Sequence, residues 1–89
     1  MNGEDIDETI RRLSTVDSYK SAESLLFNIE KYSGELTEEQ LKIICFSSIS
    51  NEQIYNAYIC KASVKIIIEK NKSKIDEKLL KKIMDKFYD

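Results

Sequence analysis

Residues 36–54, LTEEQLKIICFSSISNEQI, contain one six-residue pattern twice, thirteen positions apart. The copies begin at Leu36 and Ile49, and each reads apolar, hydroxyl, two polar residues, Gln, apolar. At a helix start this order places Thr37 or Ser50 at the N-cap, where the side-chain oxygen accepts from a backbone N–H. The following Gln reaches back to the cap, and the outer apolar pair packs across the turn. Two such starts predict consecutive helices joined by a tight turn.

Helical periodicity continues on both sides of this stretch, and residues that break helices are rare. The chain has no Pro, and its two Gly are Gly3 and Gly34. We predict helices over about 5–14, 18–33, 38–48, 51–71 and from 76 onward. Gly34 follows the second helix, where a left-handed residue commonly ends one. The sequence therefore predicts one all-α domain over residues 1–89, a compact bundle of about five helices.

The predicted fourth helix, 51–71, is the longest and is apolar around most of its circumference. Its polar stripe consists of Lys61, Lys65 and Glu69. A helix that is apolar on nearly all sides is buried by its neighbours or by another molecule. We therefore expect a largely buried fourth helix, whose apolar excess would also suit a homodimer or a homo-oligomeric structural protein.

Composition argues against several classes of function. The chain has no His, which removes the commonest general base and zinc nitrogen ligand. Its two Cys, Cys45 and Cys60, lie within apolar helical segments, as buried free thiols do. We expect no enzyme activity, metal or cofactor. No stretch is long enough to span a membrane, so we expect a small, soluble, cytoplasmic protein.

The charge of the chain is unevenly distributed. Its net charge is −2, made of −6 over residues 1–59 and +4 over residues 60–89. The overall sign argues against a nucleic-acid-binding domain. One end of the molecule is expected to be acidic and the other basic.

Two tyrosines near the start of the predicted fourth helix are the leading candidates for a binding surface. Tyr55 and Tyr58 lie three residues apart, beside Ile54 and Ile59. Tyr is common where one part of a side chain is buried and the other meets a partner. The alternative is that these residues line the core. Our main hypothesis is a non-catalytic module that binds another protein, as small helical inhibitors, antitoxins and immunity proteins do.

Lysines near the C-terminus form a second candidate site. The positions expected to form a basic patch are Lys74, Lys78, Lys81, Lys82 and Lys86. Such a patch would attract an acidic partner or phosphates. The alternative is a solvated helix face, since lysines lack the bidentate fork with which arginine recognises anions.

The segment 17–26, DSYKSAESLL, resembles the part of acyl and peptidyl carrier proteins in which an Asp-Ser-Leu motif opens a helix. The resemblance implies a carrier function, with phosphopantetheine attached to Ser18. Tyr19 stands where carriers usually have Leu, and the helix and loop before the serine are shorter than in carriers. The structural alternative is that Asp17 and Ser18 cap the second helix.

The third and fourth predicted helices also allow a helix-turn-helix interpretation, with the turn at 47–50. In that motif the second helix enters the major groove. Asn51, Gln53 and Asn56 would then face base edges, and Lys61 a phosphate. The alternative is a helical hairpin packed into the core.

Overall fold

The computed structural model describes residues 5–88, which form six α-helices and two short 3₁₀ turns. The helices are α1 (Ile6–Arg12), α2 (Tyr19–Glu30), α3 (Glu38–Ser50), α4 (Glu52–Tyr55), α5 (Tyr58–Asn71) and α6 (Glu77–Phe87). The 3₁₀ turns are Ser33–Glu35 and Lys72–Lys74. No strand occurs within residues 5–88, so the predicted all-α fold class is confirmed.

Side-chain caps explain where most of the helices begin. Thr37 Oγ1 accepts from the backbone N–H of Gln40, and Gln40 Oε1 accepts from the N–H of Thr37, which completes a capping box. Ser18 caps α2, and Asp76 accepts from two backbone N–H groups at the start of α6. These oxygens satisfy donors that a helix start otherwise leaves without partners.

The long fourth helix of the prediction is divided in two. Asn56 and Ala57 separate α4 from α5, and Ala57 has an extended backbone, with φ −98° and ψ 123°. In an uninterrupted helix Ile54 and Cys60, six positions apart, would point about 120° away from one another. Both are fully buried in the core. The break therefore lets both side chains reach the same interior.

The second copy of the capping pattern also works differently from the prediction. Ser50 is the last residue of α3, and Asn51 caps α4 by accepting from the backbone N–H of Gln53. The amide nitrogen of Asn51 donates to the carbonyl oxygens of Leu13 (3.2 Å) and Val16 (3.0 Å). Because Asn both caps and donates, it outcompetes the neighbouring serine for the cap.

The predicted end of the second helix is wrong in detail. Helix α2 ends at Glu30, and Ser33 begins a 3₁₀ turn whose hydroxyl donates to the carbonyl oxygen of Glu30. Gly34 does not have a positive φ. The 3₁₀ turn closes the helix end without the left-handed residue that was predicted there.

One apolar core runs through the bundle, and every helix contributes to it. Helix α5 packs most extensively against α2, while α3 packs against α6 and α1. Cys45 and Cys60 are free thiols buried in this core, as predicted. Burial raises the pKa of Cys45 to about 12. Within residues 5–88, no helix has both the length and the apolar character of a membrane span.

Candidate partner-binding surface

The structure separates the four residues predicted to form the binding surface. Ile54 is fully buried in the core, so it has no surface to offer a partner. Tyr55 is half-buried against the core, and Lys86 Nζ lies 3.9 Å from the centroid of its ring. Tyr58 and Ile59 are exposed. Only these two share a surface.

The break between α4 and α5 creates an open cleft of about 410 Å³ beside Tyr58 and Ile59. Because the chain leaves helical geometry at Ala57, Tyr58 becomes the first residue of α5 and projects into solvent. Helices α2 and α4 form the rest of the lining. The lining residues are Tyr19, Glu23, Glu52, Gln53, Asn56, Ala57, Tyr58 and Ile59.

Apolar exposure continues from the cleft along the contact between α2 and α5. On α2, Phe27 follows Tyr19 and Glu23 at four-residue spacing, and on α5, Ile66 follows Ile59 two turns later. Such spacing keeps side chains on one side of a helix. Phe27 therefore lies on the side of α2 that carries Tyr19 and Glu23, and Ile66 lies on the side of α5 that carries Ile59.

The other edges of α2 and α5 are already occupied. Helix α1 packs against α2, and Leu25 of α2 is partly buried against the core. On α5, the ammonium groups of Lys61 and Lys65 lie over the rings of Phe87 and Tyr88 at the end of α6. These contacts leave the edge of each helix that borders the cleft open to solvent.

We call this region the α2/α5 surface and define it by Tyr19, Glu23, Phe27, Tyr58, Ile59 and Ile66. Five of its side chains are large and apolar, and their exposed fractions are 51% (Tyr19), 61% (Phe27), 86% (Tyr58), 54% (Ile59) and 41% (Ile66). Among residues 5–88, two further large apolar side chains, Tyr32 and Phe46, are comparably exposed. Three of the five, Tyr19, Tyr58 and Ile59, line the one cleft, and clusters of exposed apolar side chains are common at sites of interaction.

The charged side chains that line the cleft are both acidic. Glu23 comes from α2 and Glu52 from the first turn of α4. The Cys60 thiol donates to the carbonyl oxygen of Tyr19, one of the lining residues, at 3.6 Å. Burial, followed by the negative charge of Glu23, raises the pKa of Cys60. Cys60 is therefore a protonated thiol buried in the core, and its chemistry is that of a packing residue.

The five lysines of the predicted basic patch do not all have free ammonium groups. Lys74 Nζ donates to the carbonyl oxygen of Leu36 at 3.0 Å, and Lys86 lies over the ring of Tyr55. Lys78, Lys81 and Lys82 are exposed on α6. Two members thus make contacts within the chain, and all five lysines are exposed, so the basic patch stays a prediction.

Ser18 occupies an ordinary helix cap. Its Oγ accepts from the backbone N–H of Ser21 at 3.2 Å and donates to Ser21 Oγ at 3.1 Å. Both contacts fit the structural alternative to the carrier interpretation, in which Ser18 starts α2.

The elements proposed for a helix-turn-helix are also shaped differently from that motif. Helix α4 spans a single turn, and the amide of Asn51 is engaged by two carbonyl oxygens of the α1–α2 connection. A recognition helix needs a continuous exposed face that enters the groove. The break at Asn56 and Ala57 interrupts that face.

Sequence reasoning missed most of the α2/α5 surface. Tyr19, Glu23 and Phe27 follow a helical stripe, but the neighbouring stripe of Ala22, Leu26 and Ile29 is the one that enters the core. An apolar residue beside a complete core stripe is the signal that could have identified Phe27.

Neither a family model, nor a curated protein, nor a solved structure matches this chain. The function of the α2/α5 surface must therefore be inferred from its own shape and chemistry.

Proposed function

We propose that this chain is a small, non-catalytic, cytoplasmic module that binds another protein through the α2/α5 surface, in the manner of an inhibitor, antitoxin or immunity protein. The observation that supports the proposal is the cleft in which three exposed apolar side chains, Tyr19, Tyr58 and Ile59, lie together. Apolar patches rimmed by polar groups are typical of protein–protein interfaces.

The composition of the surface fits this role. Aromatic residues are enriched at interfaces because they bury a large area at a small cost in conformational entropy. Tyr58 is the most exposed of these side chains, and Ile59 follows it in the cleft. We expect these two residues to be the anchors of the contact, with Tyr19 and Phe27 around them.

The proposal is tested by recovering the tagged chain from its own cells and identifying co-purifying proteins by mass spectrometry. We expect one stoichiometric partner that remains bound at high salt, since apolar burial is not screened by ions. The double variant Tyr58→Ser/Ile59→Ser should lose this partner. The matched control is Phe46→Ser, which removes an exposed aromatic ring outside the α2/α5 surface and should retain it.

Two results would contradict the proposal. Recovery of the chain alone, or with nucleic acid that salt removes, would mean that no protein partner binds this surface. A homodimer in sedimentation experiments that Ile59→Ser and Ile66→Ser disrupt would instead favour self-assembly as the role of the same apolar residues.

A further inference from the structure

The cleft at the break between α4 and α5 carries negative charge that residues 5–88 do not neutralise. Its charged side chains are Glu23 and Glu52. The ion pairs within these residues, Glu8–Arg12 and Glu69–Lys72, lie elsewhere. The start of α5 also borders the cleft and has no side-chain cap. Its partial positive charge, about half an elementary charge, is too small to offset two carboxylates.

The two aromatic rings in the cleft lack the lysine contacts that four other rings of the bundle have. Phe27, Tyr55, Phe87 and Tyr88 each have a lysine ammonium over the ring, between 3.9 and 6.0 Å from the centroid. Within the described part of the chain, no cation lies over Tyr19 or Tyr58, and both tyrosines line the cleft. A ring face attracts a cation through its quadrupole, and Tyr is among the rings that do so well.

We propose that this cleft binds a cationic side chain, arginine or lysine, presented by an apolar segment of the partner protein. This inference rests on the proposed function and specifies the chemistry of the partner. Glu23 and Glu52 supply the opposite charge, Tyr19 and Tyr58 supply ring faces, and Ile59 contacts the apolar stem of the side chain. Charge complementarity identifies the occupant, because the cleft lining contains carboxylates and no basic group.

Arginine suits this lining better than lysine. A planar guanidinium stacks on aromatic faces and presents several N–H donors in a fixed fork. Gln53 and Asn56 add side-chain carbonyl oxygens beside the carboxylates. The cleft thus combines flat ring surfaces with several hydrogen-bond acceptors. A guanidinium can use both, whereas a lysine ammonium has no flat face and fewer donors.

The inference is tested by titrating the isotope-labelled full chain with two short peptides and following backbone amide shifts by NMR. The first peptide is acetyl-Leu-Arg-Leu-amide, and the second replaces Arg by citrulline, a neutral side chain of nearly the same shape. We expect the arginine peptide to shift the amides around the cleft, and the citrulline peptide to bind at least about tenfold more weakly. High salt should reduce this difference.

A pair of double variants separates the charge of the cleft from the net charge of the molecule. Glu23→Gln/Glu52→Gln should weaken binding of the arginine peptide about tenfold. Glu35→Gln/Glu77→Gln makes the same change in net charge at exposed positions outside the cleft and should leave the affinity unchanged. Circular dichroism of both variants checks that the fold is retained.

Equal affinity for the two peptides, or amide shifts centred on α6, would overturn the inference. A natural partner that is lost with Tyr58→Ser/Ile59→Ser but retained by Glu23→Gln/Glu52→Gln would also overturn it, while the proposed function would stand. Salt-sensitive self-association abolished by Lys78→Glu and Lys82→Glu would identify a second copy as the source of the cation, contrary to the assignment to another protein.

Discussion

At the scale of single residues, Asn51 connects more parts of the fold than its position in a turn suggests. Its side-chain oxygen caps α4, and its amide nitrogen donates to two carbonyl oxygens of the α1–α2 connection. One side chain therefore fixes both the start of α4 and the path of a segment more than thirty residues earlier in the chain.

Replacing Asn51 by Asp keeps the capping oxygen but removes the N–H donor. We expect Asn51→Asp to lower the free energy of unfolding by about 1–3 kcal/mol, because the carbonyl oxygens of Leu13 and Val16 lose their donor and face a carboxylate. Urea denaturation of the variant and the wild-type chain measures this difference in the free energy of unfolding. A loss within about 0.5 kcal/mol, the range of ordinary surface substitutions, would show that water replaces the amide at no cost.

Tyr88 gives a second prediction at this scale. Its hydroxyl donates to Glu69 Oε2 at 2.9 Å. Burial, followed by the hydrogen bond and the charge of Glu69, raises the pKa of Tyr88 from 10.0 to about 12. Because the folded-state pKa is the higher one, the stability that Tyr88 contributes is complete below pH 10 and is lost as the pH rises toward 12.

The raised pKa of Tyr88 is measured by following tyrosinate absorbance as the pH rises. The Tyr88→Phe variant identifies which transition belongs to Tyr88. Glu69→Gln should move that transition to lower pH, because the hydrogen bond to a charged acceptor is lost while burial remains. A transition of Tyr88 near its ordinary pKa of 10.0 would contradict the expected shift.

At the scale of helices, the two copies of the capping pattern provide a matched comparison. Thr37 belongs to a complete capping box, whereas Ser50 is an exposed residue in the last turn of α3. We expect Thr37→Ala to destabilise the protein by about 1 kcal/mol, and Ser50→Ala to change its stability by less than about 0.5 kcal/mol. Thermal unfolding of the two variants measures the difference. Equal losses would mean that Ser50 stabilises α4 despite its position.

The same two positions show what the sequence could and could not predict. Thr37 and Gln40 make local contacts within one turn, so the pattern of residues is sufficient to identify them. The cap of α4 is Asn51 and not the predicted Ser50, and this choice depends on carbonyl oxygens that are distant in sequence. A local pattern carries no information about such partners.

The break within the predicted fourth helix has a similar origin. No Gly or Pro marks it, and Ala57, the residue in extended geometry, is a strong helix former. The requirement to bury both Ile54 and Cys60 in one core outweighs this local preference. Of the predicted binding surface, Tyr58 and Ile59 lie at the cleft because of this break, and Ile54 lies in the core for the same reason.

At the scale of the whole molecule, the bundle does not bury all of its apolar side chains. The run Ile66-Ile67-Ile68 on α5 illustrates this, since Ile67 and Ile68 are fully buried and Ile66 is exposed on the α2/α5 surface. Successive positions of a helix point about 100° apart, so three identical residues in a row do not share the one face that α5 turns to the core. The remaining residue, Ile66, is then either exposed to solvent or covered by another molecule.

Alanine substitution at the two sites distinguishes the surface from the core. We expect Ile67→Ala to cost about 2–5 kcal/mol, since it leaves a cavity among buried neighbours, and Ile66→Ala to cost less than about 1 kcal/mol. Chemical denaturation of both variants gives these values. If the two losses are equal, Ile66 is held by the core as firmly as Ile67, and the α2/α5 surface ends at Ile59. If they differ as expected, Ile66 contributes little to the stability of the fold. The natural partner of the protein should then bind the Ile66→Ala variant more weakly than the wild-type chain.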